Sequence, residues 1–131
     1  MFRSFILAAC ALIAVDAYIN TDFPSTIHVE EGETAIIKLP VSANYRREVV
    51  VLGGKYEEQL YRVCNGKNKK TCGYWESVKT KKKVKSGKTT YNKKKKALII
   101  KNIMYEDGGK YMTGNKKKSR FVEISISFFG K

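Results

Sequence analysis

Short runs in which apolar and polar residues alternate, or in which β-branched and aromatic residues crowd together, punctuate this chain at 26–30, 34–39, 48–52, 59–63, 73–78, 97–101 and 119–129. Each is bounded by Gly, Asn, Pro or Lys clusters, which predicts a strand. The last is the clearest: Phe121 to Phe129 alternates with Glu123, Ser125 and Ser127, the period of a strand with one buried face. No stretch carries the 3.6-residue period of a long amphipathic helix. Six or more short strands without intervening helices predict an all-β antiparallel sandwich or barrel. Asn65-Gly66 suits a tight hairpin turn, and Gly53-Gly54 suits another after the third strand.

The N-terminus has a different pattern. Arg3 precedes an almost unbroken apolar run from Phe5 to Val15, and Val15-Asp16-Ala17 places small residues at the positions a signal peptidase reads. Residues 1–17 therefore read as a cleaved signal peptide and 18–131 as one secreted, extracellular domain. The rival, a retained anchor, needs about 20 apolar residues, more than this run supplies. No later segment reads as a membrane span. Cleavage removes Cys10 and leaves Cys64 and Cys72, which an oxidising compartment would join in a disulfide. So short a loop gains about 2.5 kcal/mol by the chain-entropy estimate, and its expected job is to clamp one lysine-rich turn. The alternative is a pair of free buried thiols. The chain from 18 onward has no N-glycosylation sequon.

Two stretches carry a family resemblance. Tyr105-Glu-Asp107-Gly-Gly109-Lys-Tyr111 resembles the Asp-x-Gly-x-Tyr signature of the tyrosine corner in immunoglobulin-like domains, with residues 98–103 before it similar to their fifth strand. Residues 29–39 resemble their passage from first to second strand. The resemblance covers most of 24–129 and implies an immunoglobulin-like β-sandwich in which Asp107, Gly109 and Tyr111 form a structural corner. It also exposes departures. Leu39 and Thr113 stand where the two inter-sheet cysteines are expected, and an aliphatic residue near Val51 stands where the core tryptophan is expected. Trp75 comes too late in sequence order to replace it. Apolar packing must then do the work of the absent disulfide, a buried leucine being worth roughly 1.5–3 kcal/mol.

Charge changes the picture most. The chain carries 26 Lys and Arg against 12 Asp and Glu, a net charge of +14, yet 43% of its residues are hydrophobic, too many for a solvated tail. The excess lies between Arg62 and Arg120, where 20 basic residues face only Glu76, Glu106 and Asp107. Four clusters hold it: Lys67, Lys69 and Lys70; Lys79, Lys81, Lys82, Lys83 and Lys85, with Lys88 beyond; Lys93, Lys94, Lys95 and Lys96; and Lys116, Lys117, Lys118 with Arg120. All fall at predicted loops or strand ends. A domain needing only solubility could mix signs and avoid self-repulsion, so these clusters predict an anion-binding, heparin-binding type of surface. The dominance of lysine suits diffuse, salt-sensitive attraction more than bidentate readout.

Outside the cell the matching partners are a sulfated glycan or an anionic lipid surface. Nucleic acid is disfavoured, since no aromatic stacking motif is interleaved with the lysines. The main alternative is a protein–protein recognition module, for adhesion or receptor binding to a cell-surface protein through a sheet face, with lysines only steering association. A second alternative is a cationic antimicrobial protein. Catalysis finds no footing: a single histidine, His28, sits in a predicted edge strand, and no cofactor or metal motif accompanies the acidic string Glu30, Glu31 and Glu33.

Overall fold

The computed structural model describes residues 25–51, 53–115 and 121–127. Nine strands run β1 (Ser25–Glu30), β2 (Ala35–Lys38), β3 (Asn44–Val50), β4 (Tyr56–Arg62), β5 (Trp75–Ser77), β6 (Lys88–Asn92), β7 (Ala97–Lys101), β8 (Gly109–Thr113) and β9 (Val122–Ser127). They form a six-stranded sheet, β1-β9-β8-β3-β4-β5, facing a three-stranded sheet, β2-β7-β6. Every pairing is antiparallel except that of β1 with β9. This is the immunoglobulin-like sandwich in its variable-type form, where two extra strands widen the sheet built on β3, β8 and β9.

Alternation decides which residues meet between the sheets. From one side come Ala35, Ile37, Leu98 and Ile100; from the other come Tyr45, Tyr61, Trp75, Tyr111, Val122 and Ile124, all buried. The expected cysteine positions, Leu39 and Thr113, are both buried and add to this packing. Tyr45 stacks on Tyr91 at 5.1 Å between ring centroids, and Trp75 meets Tyr111 edge-on at 5.6 Å.

Trp75 corrects the reading from sequence order. It is 1% exposed and fills the core from β5, stacked beneath the Arg47 guanidinium at 4.2 Å and donating its indole N–H to Thr89 Oγ1. The position near Val51 also shifts, because the inward residues of β3 are Tyr45, Arg47 and Val49, and Val51 lies past the strand. That same buried arginine explains why β3 starts four residues before the expected strand at 48: a charge at an inward position broke the apolar alternation. Strand β6 was not expected at all, since Lys88-Thr-Thr-Tyr-Asn92 turns only Thr89 and Tyr91 toward the interior.

The corner itself is closed by Tyr111, whose hydroxyl donates to the Asp107 carbonyl. The Asp107 carboxylate accepts from Arg47 Nη1 at 2.8 Å, from the Ser86 hydroxyl, and from the backbone N–H groups of Gly87 and Met104. Arg47 also donates to Gln59 and to the Tyr111 hydroxyl, so both buried charges have several partners. Such satisfaction is the condition under which a buried ion pair is tolerated. Gly109 is needed here in the strict sense: at φ +156 an added Cβ would sit 2.1 Å from the Glu48 carbonyl oxygen.

The two turns differ in outcome. Gly53 and Gly54 take positive φ in a hairpin closed by Val51 and Lys55, as their sequence suggests. Asn65-Gly66 does not form a two-residue hairpin: it opens a long β4–β5 loop in which the Asn65 and Asn68 side chains cap backbone N–H groups and Lys69–Thr71 makes one 3₁₀ turn. The Cys64–Cys72 disulfide closes that loop. Residues 1–17, the expected signal peptide, lie outside the described residues, and among those described no helix is long and apolar enough to cross a membrane.

Candidate functional site

The sandwich has two ends, and backbone bonds identify which loops share each. At one end Leu39 N–H donates to the Lys96 carbonyl, Val63 N–H to Ala43 and Gly114 N–H to Asn44, while the Tyr45 and Tyr91 hydroxyls reach the Pro40 and Leu39 carbonyls. The β2–β3, β4–β5 and β6–β7 connections and the end of β8 therefore meet there. Burial holds the Tyr45 hydroxyl well above the ordinary tyrosine range, helped by the Tyr91 hydroxyl beside it. This end carries Lys67, Lys69 and Lys70 on the disulfide-closed loop and Lys93, Lys94, Lys95 and Lys96 on the hairpin. Lys38, whose ammonium donates to the Lys95 carbonyl, joins them. The segments that build this end contain no Asp or Glu. Two clusters separated by more than twenty residues of sequence thus form one carboxylate-free pole.

The other two clusters are placed differently. Lys79, Lys81, Lys82, Lys83 and Lys85 line the outer edge of the six-stranded sheet, where Lys82 and Val84 pair with Ser77 and Trp75 and extend it by a short bridge. Lys83 lies over the Tyr74 ring at 5.4 Å. Lys116, Lys117, Lys118 and Arg120 lie outside the described residues. Among those described, each of the three ion pairs is held by an arginine and none by a lysine.

The end that holds the tyrosine corner is acidic by comparison. Glu30, Glu31, Glu33 and Glu106 lie in the segments at this end, and a hollow of about 690 Å³ there is lined by residues that include Glu30, Glu31, Ser86, Lys88, Asn102 and Met104. No group of three or more His, Cys, Asp or Glu able to hold a metal occurs among the described residues. His28 is an exposed residue of edge strand β1, beside Ser125.

The outer faces of the two sheets contrast. On the six-stranded face Arg46 pairs with Glu58, and Arg62 makes a two-pronged contact with Glu76. That contact raises the Arg62 pKa and holds the Glu76 carboxyl below its ordinary range. Val50 and Tyr56, opposite each other in register, are 53% and 72% exposed at the far end of the same face. The three-stranded face turns outward Lys38 and Asn92, then Ile36-Ile99-Thr90, then Lys101 beside Lys88, while Ala97, level with Lys38, is covered. Sequence reasoning did not connect Lys38, Lys88 and Lys101, since isolated strand lysines carry no local signal; only strand register brings them to one surface.

No protein-family model and no curated protein matches the chain. Among solved structures, the extracellular domain of the voltage-gated sodium channel beta4 subunit, solved as parallel homodimers and related there to cell–cell adhesion, is similar at 11% identity. The match covers 86% of this chain and 92% of that one, with a TM-score of 0.48.

Proposed function

We propose that this protein is a secreted, non-catalytic recognition domain whose lysine pole engages an anionic extracellular partner, a sulfated glycan chain being the ligand class that asks least of it. The observation that carries this reading is the pole: seven loop lysines and Lys38 gathered at one end from three elements, with no carboxylate in the segments that build it. Bringing like charges together costs self-repulsion, and a polyanion is what returns that cost. The disulfide supports the same reading, because it restricts the loop carrying Lys67, Lys69 and Lys70 before any ligand arrives. Point-charge ammonium groups suit sulfates spaced along a flexible chain.

The test is elution from immobilised heparin beside a sulfonate resin of matched charge density. Later elution from heparin is expected, with Lys67→Glu/Lys69→Glu/Lys70→Glu eluting at much lower salt. Equal elution from both resins would reduce the pole to bulk charge.

A second reading rests on a separate observation. Val50 and Tyr56 form an exposed apolar pair on a face whose neighbouring charges are already neutralised in Arg46–Glu58 and Arg62–Glu76. Paired charges cost less to desolvate than single ones, so that face suits a protein partner, with the lysines steering encounter. Substituting Tyr56→Lys would abolish such binding and leave heparin retention unchanged.

A further inference from the structure

The outer face of the three-stranded sheet combines three properties that neither the pole nor the opposite face has together. Its middle row, Ile36-Ile99-Thr90, sets two isoleucines side by side, with Ile36 43% exposed. On either side, two residues away along the strands and so at about 7 Å, lie rows carrying Lys38 at one end and Lys88 with Lys101 at the other. No carboxylate occurs on strands β2, β6 or β7. The hairpin with Lys93, Lys94, Lys95 and Lys96 continues the same sheet beyond Lys38.

We propose that this face lies on an anionic lipid bilayer, with Ile36 and Ile99 meeting the headgroup boundary and Lys38, Lys88 and Lys101 reaching lipid phosphates and carboxylates on either side. The proposal shares with the preceding section the premise that the lysines meet anions, and Lys38, which stands where pole and face adjoin; its isoleucines, Lys88 and Lys101 belong to a different surface, and its partner is different. A sulfated chain is a line of charge and gains nothing from an apolar row between lysines. A bilayer is a broad surface that accepts apolar side chains centrally while lysine stems extend outward to the charge. The six-stranded face would be repelled or indifferent, because its carboxylates Glu48, Glu58 and Glu123 lie among its cations.

The experiment is co-sedimentation of the purified protein with phosphatidylcholine vesicles, with and without phosphatidylserine, at low and physiological salt. Binding is expected only with phosphatidylserine and should weaken as salt rises. Each lysine near an anionic surface contributes about 1 kcal/mol, or about 5-fold, so Lys88→Gln/Lys101→Gln should bind about 25-fold more weakly. Lys88→Arg/Lys101→Arg should bind like the parent, which separates lost charge from lost folding. Ile36→Ser/Ile99→Ser should weaken vesicle binding while leaving heparin elution unchanged. Vesicle binding undiminished in both face variants would overturn the proposal. If that binding were lost instead in Lys67→Glu/Lys69→Glu/Lys70→Glu, the pole would stand as the anion site and the face would not. Retention on heparin with no vesicle binding would likewise overturn the face and spare the pole; loss of both would remove the two together.

Discussion

Arginine and lysine divide this molecule between them. Every ion pair among the described residues, inside the sandwich or on the six-stranded sheet, joins an arginine to a carboxylate: Arg47 with Asp107, Arg46 with Glu58, Arg62 with Glu76. On the lysine pole and the three-stranded face the cations are lysines that make no ion pair among the described residues, although Lys88 borders the hollow that Glu30 and Glu31 also line. The planar guanidinium satisfies several acceptors at fixed angles, as Arg47 does with Gln59, Asp107 and Tyr111, and it stacks on Trp75. A hydrated ammonium on a flexible stem does neither well but remains available to an external anion. The difference teaches that the arginines are built into the fold through their ion pairs, to which the lysines of the described residues contribute none.

The sharpest way to break that division is to attack its buried member. Asp107→Ala would strand the Arg47 guanidinium and free two backbone N–H groups, and should cost about 3–5 kcal/mol, read as a lower urea midpoint at unchanged slope. Arg47→Met/Asp107→Leu should recover part of that loss, because removing both charges also removes the desolvation penalty. A single variant as stable as the parent would show that the arginine is ornamental.

The next largest effect comes from raised pH. Burial pushes the Tyr111 hydroxyl up to about 12, and also raises Tyr45 and Tyr61. A tyrosine whose folded pKa exceeds its unfolded value near 10 contributes stability that is fully present below pH 10 and lost as pH rises through the folded value. Urea midpoints should therefore hold steady to about pH 10 and fall steeply toward pH 12. A flat profile across that window would contradict the burial of these hydroxyls.

At acid pH the surface arginine pair gives a smaller signal. Glu76, held low chiefly by its hydrogen bonds from Arg62, contributes stability that is present above the unfolded carboxyl value near 4.3 and lost as pH falls through its lower folded value. Glu76→Gln should remove up to about 1 kcal/mol at pH 7 and little at pH 2, measured by the same denaturation series.

The smallest effect tests the lysines. Lys93→Gln/Lys94→Gln/Lys95→Gln should change stability by no more than about 0.5 kcal/mol, with any change an increase at low salt as repulsion is relieved. Destabilisation beyond that would mean the hairpin lysines support the fold after all.

Much of this architecture was legible in the chain. Alternation and β-branched runs mark β1, β2, β4, β7 and β9, because those signals act between residues one and two positions apart. Asp107, Gly109 and Tyr111 are legible for a related reason: the corner closes within a few residues, and Gly109 meets a backbone carbonyl that leaves no room for Cβ. The pairing of Cys64 with Cys72 and the Gly53-Gly54 turn are equally local. What tertiary structure alone decided lies across strands. Arg47 hides half of β3 because its charge is neutralised by Asp107, sixty residues away. Trp75 reaches the core from β5, and β6 exists because β7 offers it a hydrogen-bonding edge that its own polar residues do not advertise. The lysines show the same limit. Their number and their clusters are properties of the sequence, but pole and face are properties of register, since one strand's position beside another sets which side chains share a surface.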